Sequence, residues 1–208
     1  RIDHIKDKVI LHQGDLLDQT SLMQIISEAR PDEIYNEADQ DHIGTSYATP
    51  GYSADVTAST VGKLLEIARS FKRIIKVFQP VSATMFGNSS SNIQNELTPL
   101  NPQSPYAVCK AAAYHWARYY RQSCGMFVST AILYNHDSPR RSGDYLLQKI
   151  CRAAVAIKEG KQDTLALGNL DLRVDIGYAR DYMEAAWQIM QLDKADDFII
   201  GSGQALII

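Results

Sequence analysis

The chain has 208 residues, 45% of them hydrophobic and 22% charged, with a formal net charge of −3. One sizeable core is the natural outcome of that length and apolar content, and the mildly acidic balance argues against nucleic acid as a bulk electrostatic partner. No apolar run approaches the ~20 residues of a membrane span and no signal-peptide pattern opens the chain. Cys109, Cys124 and Cys151 have neither metal-ligand spacing nor an even disulfide framework, which fits a reducing, cytoplasmic setting.

In chain order, Lys8 to His12 reads as a strand ending in the turn Gly14, Asp15, Leu16. Thr20 to Ala29 is helix-like, with Leu22, Ile25, Ile26 and Ala29 at helical spacing, and Pro31 stops it. Glu33 to Asn36 reads as a short buried strand, Ser53 to Ser70 as a long helix and Ile74 to Phe78 as a strand. A Ser/Asn/Pro-rich loop fills 88–104. The next helix, Pro105 to Cys124, opens on Ser104 as N-cap and Pro105 in its first turn. Met126 to Leu133 reads as strand, Asp144 to Glu159 as helix, Thr164 to Leu167 as a short extended piece, Ala179 to Leu192 as helix and Phe198 to Ile200 as a last strand. Strands separated by helical crossovers predict an α/β fold: a Rossmann-like parallel sheet with helices on both faces. Ligands of such sheets lie beyond the carboxyl ends of the strands, where Asp15, Asn36, Ser82 and Asn135 fall.

Tyr106 and Lys110 lie one turn apart on one face of helix 105–124. An ammonium beside a phenol favours phenolate, so a group with a reference pKa near ~10 can act as a base closer to neutrality. The spacing alone is short and common, and an exposed Tyr and Lys on an ordinary helix would look the same. Arg140 and Arg141 add guanidinium forks suited to phosphate oxygens. Asp15 could equally cap a turn, His136 could be a packed histidine, and His42 reads as structural or surface.

Longer motifs decide between these readings. The segments Arg1 to His4, Gly14 to Leu16, Glu33 to Asn36, Ala54 to Val56, Ser104 to Tyr106, Asn135 to Arg141, Gly168 to Asp171 and Ala179 to Tyr182 resemble the extended short-chain dehydrogenase/reductase superfamily and, within it, the GDP-mannose 4,6-dehydratase family. In that family tightly held NADP takes a hydride from C4 of the sugar, water leaves across C5 and C6, and the hydride returns to C6. The resemblance implies Tyr106 as the C4-hydroxyl base and Lys110 as its electrostatic partner and ribose anchor. Ser82 takes the hydroxyl position that bonds the substrate O4. Asp15 and Leu16 match the pair flanking the adenine. Glu37, Ala38, Tyr52, His136 and Arg141 match cofactor-contacting positions, and Asn135 and Lys149 positions near the nucleotide sugar. It also implies NADP (or NAD) as cofactor, a nucleotide sugar, GDP-mannose above all, as substrate, and a homodimer or homotetramer paired through helix 105–124 and the long helix before it. Residues 1–135 then form a partial Rossmann-like NAD(P)-binding domain carrying the catalytic helix, and 136–208 a small portion with substrate-binding elements and a returning strand and helix.

Four departures from the family pattern bear on the chemistry. The glycine-rich βα turn and the basic segment for the 2′-phosphate would lie before Arg1, so the chain reads as an excerpt of a longer protein. Thr84 stands where the family has the glutamate that removes the C5 proton, and a threonine hydroxyl does not ionise near neutrality; losing a general base costs about 10²- to 10⁴-fold. Glu37 and Asp39 replace small neutral residues close to the cofactor, where each like-charge contact at ~5 Å would cost roughly 3 kcal/mol if the carboxylates turn inward. Val174 and Ile176 stand where an arginine and a tryptophan are usual; Arg173 is the candidate replacement, but a neighbour on an extended segment points to the other side. Three readings follow: a dehydratase with impaired elimination, a nucleotide-sugar epimerase or reductase that needs no C5 base, and a non-catalytic relative or fragment that keeps the fold.

Overall fold

The computed structural model describes residues 2–89 and 93–207. Arg1 of the opening motif and part of the 88–104 loop lie outside them. Four parallel strands form the main sheet: β1 (Glu33–Tyr35), β2 (Lys76–Ser82), β3 (Val128–Leu133) and β6 (Asp197–Ile200), in the order β1-β2-β3-β6. β3 is buried at all six positions, as a central parallel strand covered on both faces must be. Side chains alternate along β2. Val77 and Val81 join Leu64, Leu65, Ala113, Ala117 and Ile132 in one core, while Phe78 joins Ala131, Tyr182, Ala186 and Met190 in the other.

The first core is roofed by α1 (Gln19–Ala29), α4 (Thr60–Ser70) and α5 (Pro105–Cys124), the second by α7 (Ala179–Met190). Burying one Leu or Phe of these cores is worth roughly 1.5–3 kcal/mol before entropy is charged against it. α5 has the predicted bounds. Ser104 accepts from Ala107 N at 3.1 Å, Pro105 occupies the first turn, and Gly125 (φ 66°) ends the helix in the left-handed conformation that disfavours a side chain.

The remaining strands β4 (Asn135–Asp137), β5 (Arg173–Tyr178) and β7 (Ala205–Ile207) make a second sheet, parallel between β4 and β5 and antiparallel between β5 and β7. α6 (Leu146–Lys158) leads toward it. No helix among the described residues is long and apolar enough to cross a membrane.

Three expectations need correction. Lys8 to His12 is not a strand: a 3₁₀ turn runs through Asp3–Lys8, and the segment beyond it pairs with no strand among the described residues, with Ile10 and Leu11 exposed. An extended propensity without a neighbour to accept its hydrogen bonds makes no ladder. The long helix starts earlier, at α3 (Pro50–Ser53), and passes through a π-helical stretch at Ala54–Ser59 before α4; a separate short helix, α2 (Ile43–Ala48), precedes it. The strand expected at Ile74 to Phe78 runs instead from Lys76 to Ser82.

Candidate active site

The carboxyl ends of β1, β2 and β3 and the start of β4 open into a cleft of about 520 Å³. Its walls carry Ser82, Thr84, Tyr106, Lys110, Glu37, Asn135, His136 and Arg141, which the sequence places on separate elements. A second cavity of about 440 Å³ adjoins it through shared Glu37, Asp39 and Asp41, and brings together Asp15, Leu16, Ala38 and Tyr52. Lys149 and Arg173 do not line either cavity. Both are exposed: Lys149 on α6, Arg173 on β5, where the flanking Val174 and Ile176 take the cleft-facing positions.

The loop after β1 is fixed by buried amides. Asn36 Nδ2 donates to Gln79 Oε1 at 2.8 Å. Gln40 N donates to Thr57 Oγ1 at 3.2 Å, and Ser53 Oγ donates to Gln40 Oε1 at 3.1 Å. With Gln40 drawn into the helices, its neighbours Asp39 and Asp41 face the cleft. Asp39 Oδ2 forms an ion pair with Lys110 Nζ, whose side chain is 7% exposed against 13% for Asp39. Lys110 Nζ also donates to the Pro80 carbonyl at 3.2 Å and sits 5.7 Å from the Tyr106 ring centre. The carboxylates therefore turn inward, and one of them occupies the cation that sequence reasoning reserved for the phenol and a ribose.

The electrostatics follow from this packing. Burial pushes the Tyr106 phenol up; Lys110 pulls it down, Asp39 pushes it up again, and a hydrogen bond with Ser82 lowers it. The net direction is upward, opposite to the drift toward neutrality inferred from Tyr-Lys spacing. Burial works against the Lys110 ammonium, but Tyr106, Asp39 and Glu37 together hold its pKa above the ordinary value. Glu37 opens onto the cleft yet lies among enough protein atoms for desolvation to push its carboxyl up, with Lys110 opposing and Asp39 reinforcing.

Ser82 Oγ accepts from Thr84 N at 3.2 Å and from Thr84 Oγ1 at 2.9 Å. A hydroxyl has one proton, so that of Ser82 is left for Tyr106. Gly87 (φ 55°) closes this turn, and a Cβ there would overlap the Asn101 carbonyl. On the opposite wall His136 Nδ1 donates to the Tyr134 carbonyl at 2.9 Å and its ring stacks on Tyr182 at 4.8 Å. Arg141 lies 3.6 Å over the Tyr145 ring and 3.4 Å from Asp41, and Tyr145 donates to Asp41 at 2.8 Å. Burial first, and then that hydrogen bond, push Tyr145 up to about 12. Asp15 Oδ1 caps its own turn by accepting from Leu17 N at 2.8 Å, and His42 caps α2 through Nδ1. Asp41, Tyr134 and Tyr145 were not among the predicted site residues. The alternation Glu37, Asp39, Asp41 around Gln40 was the one signal that could have found Asp41.

The model of the family described as GDP-mannose 4,6 dehydratase matches residues 1–208. GDP-mannose 4,6 dehydratase 2 of Arabidopsis thaliana is 42% identical over 97% of this chain and 57% of its own length; GDP-mannose 4,6-dehydratase of Vibrio cholerae is 39% identical over 98% and 57%. The chain thus spans a little over half the length of these relatives. RMD from Pseudomonas aeruginosa complexed with NADPH shares the fold, with a TM-score of 0.89 at 22% identity over 96% of this chain and 70% of that one. The residues that converge on the cleft and the match across the whole chain agree, and the chain belongs to the GDP-mannose 4,6-dehydratase family.

Proposed function

We propose that this chain is the catalytic part of a nucleotide-sugar 4,6-dehydratase acting on GDP-mannose with tightly bound NADP, and that its elimination step is impaired. The observation that carries the reading is one cleft holding Tyr106, Lys110, Ser82 and Thr84 beside the family's Asn135, His136 and Arg141. Lys110 for a ribose hydroxyl and Ala38 and Pro80 as small walls fit the reacting end of a nicotinamide dinucleotide, and Asp15, Leu16 and Tyr52 in the adjoining cavity fit the adenosine, while the inward carboxylates Glu37, Asp39 and Asp41 work against the anionic pyrophosphate. NADP, or NAD in its place, supplies the hydride acceptor when bound. Residues 1–135 hold the cofactor in this reading, and 136–208 contribute to the sugar site, with Lys149 and Arg173 as outer contacts of the nucleotide.

Tyr106 Oη exchanges a proton with the C4 hydroxyl, Ser82 orients that oxygen, and Lys110 balances the charge on the phenol. Thr84 has no ionisable group, and its hydroxyl is engaged with Ser82, so no residue at this position takes the C5 proton. That observation favours, as a second reading, C4 oxidation and reduction without loss of water, as in an epimerase or reductase. Cys109, Cys124 and Cys151 are free, which supports a reducing, cytoplasmic setting. Val108, Trp116 and Tyr119 are exposed along one side of α5, which supports pairing with a second copy through α4 and α5.

The test is to supply NADP and GDP-mannose to the full-length protein and follow 4-keto-6-deoxy sugar. Slow formation that Thr84→Glu raises about 10²- to 10⁴-fold is the expected outcome. Bound cofactor with no product from either form would overturn the dehydratase reading and leave the second.

A further inference from the structure

Lys110 is a buried cation of the cleft, and its nearest charge is Asp39. The pair is held from both sides. Gln40, pinned by Ser53 and Thr57, fixes the loop that carries Asp39, and the Pro80 carbonyl fixes the other side of Nζ. A carboxylate that can reach an ammonium in a low-dielectric pocket competes directly with the phenol for its field.

We propose that Asp39 is a positioning residue of the Tyr106–Lys110 pair, which holds the Lys110 ammonium and offsets its charge so that Tyr106 gives up its proton less readily than it would beside Lys110 alone. The proposal rests on reading Tyr106 and Lys110 as the reacting pair. It makes the pair a triad in which the Asp39 carboxylate weakens the pull of Lys110 on the Tyr106 proton.

Other charges face the same groups. Asp41, from the loop after β1, and Tyr145, at the start of α6, lie toward Tyr106, and Glu37 lies toward Lys110. His136 and Arg141 stand on the far wall of the cleft. Asp41 is already engaged by Arg141 and Tyr145, so its influence on the phenol is the weaker of the two aspartates.

The experiment is a pH titration by NMR of the ligand-free protein labelled at tyrosine Cζ, with the Tyr106 signal identified in Tyr106→Phe. It needs no turnover, so its result and that of the dehydratase assay fail independently. Asp39→Asn is expected to make Tyr106 about tenfold easier to ionise, Asp39→Glu to restore the unsubstituted curve, and Asp41→Asn to move it less. Superimposable curves for Asp39→Asn and the unsubstituted protein, or a larger shift from Asp41→Asn, would overturn the proposal. A second readout needs no variant at position 39. In the unsubstituted protein the Asp39 carboxylate carbon must move in the same pH step in which Tyr106 ionises, and a silent Asp39 signal through that step also overturns it.

Discussion

Helix α5 carries a charged cluster near each end, and the two are built on opposite balances. At its amino end Tyr106 and Lys110 enter the cleft, where Glu37, Asp39 and Asp41 face Lys110 and Arg141. Further along, Tyr114, Arg118 and Arg121 converge on Asp197 at the start of β6. Asp197 accepts from Thr130 Oγ1 at 2.6 Å, lies 2.7 Å from Arg121, and accepts from Tyr114 at 3.1 Å. Arg118 stands 3.8 Å away and donates to the Tyr114 hydroxyl. There one carboxylate has two guanidiniums and two hydroxyls, and Arg121 is also bonded to the Val128 carbonyl at 2.9 Å. The lower cluster is satisfied and closed, so it ties α5 to the sheet. The cleft has more acids than bases and opens to solvent, so its protonation states can respond to whatever enters.

The comparison predicts different costs for deleting a carboxylate at each end. Asp197→Ala strands the Arg121 guanidinium, which is only 12% exposed, and is expected to cost about 3–5 kcal/mol in denaturant unfolding. Tyr106 ionisation should be untouched. If Asp197→Ala proves as mild as a surface change, the lower cluster does not anchor α5 to the sheet.

The same two ends explain what was legible in the sequence. α5 was readable to the residue because its signals are local: Ser104 and Pro105 start it, and Gly125 ends it. β3 was readable within two residues because it is a run of β-branched and apolar residues broken only by Ser129. The Tyr106–Lys110 spacing was equally local. The partner of Lys110 was not, because Asp39 lies on a loop whose inward turn depends on Gln40 reaching Ser53 and Thr57. β7, three residues long and antiparallel to β5, has too short a pattern to be seen alone. The strand expected at Lys8 to His12 failed for the converse reason: its side chains suit a sheet, but no strand among the described residues lies beside it.

A gentler test sharpens the contrast by removing an acid from the cleft that its cations do not directly hold. Desolvation raises the Glu37 carboxyl, so this group favours folding fully below its ordinary range and the benefit is lost as pH rises through the raised value. Glu37→Gln is therefore expected to stabilise the protein at pH 7, raising Tm by about 1–3 °C, and to make no difference below pH ~4. Thermal scans at the two pH values check this. A lower Tm at pH 7 would mean that Glu37 is held favourably by Lys110 and that the cleft is not acid-rich in effect.

The smallest expected effect belongs to His136, which sits between the two sheets' contributions to the cleft. Burial lowers its pKa, the Tyr134 carbonyl opposes that, and Arg141 adds to it. The folded state then binds the His136 proton less readily than the unfolded state. Stability is fully present above the unfolded value near ~6.5 and is lost as pH falls toward the depressed folded value. One site can contribute a slope of no more than about 1.4 kcal/mol per pH unit in that window. His136→Asn should flatten the unfolding free energy between pH 6.5 and the acid limb relative to the unsubstituted protein, while the Asp197 cluster, which holds no histidine, leaves that window unaffected. An unchanged slope would mean that His136 takes up its proton as easily folded as unfolded. Its stacking on Tyr182 and its bond to the Tyr134 carbonyl would then fix the ring without dictating its charge.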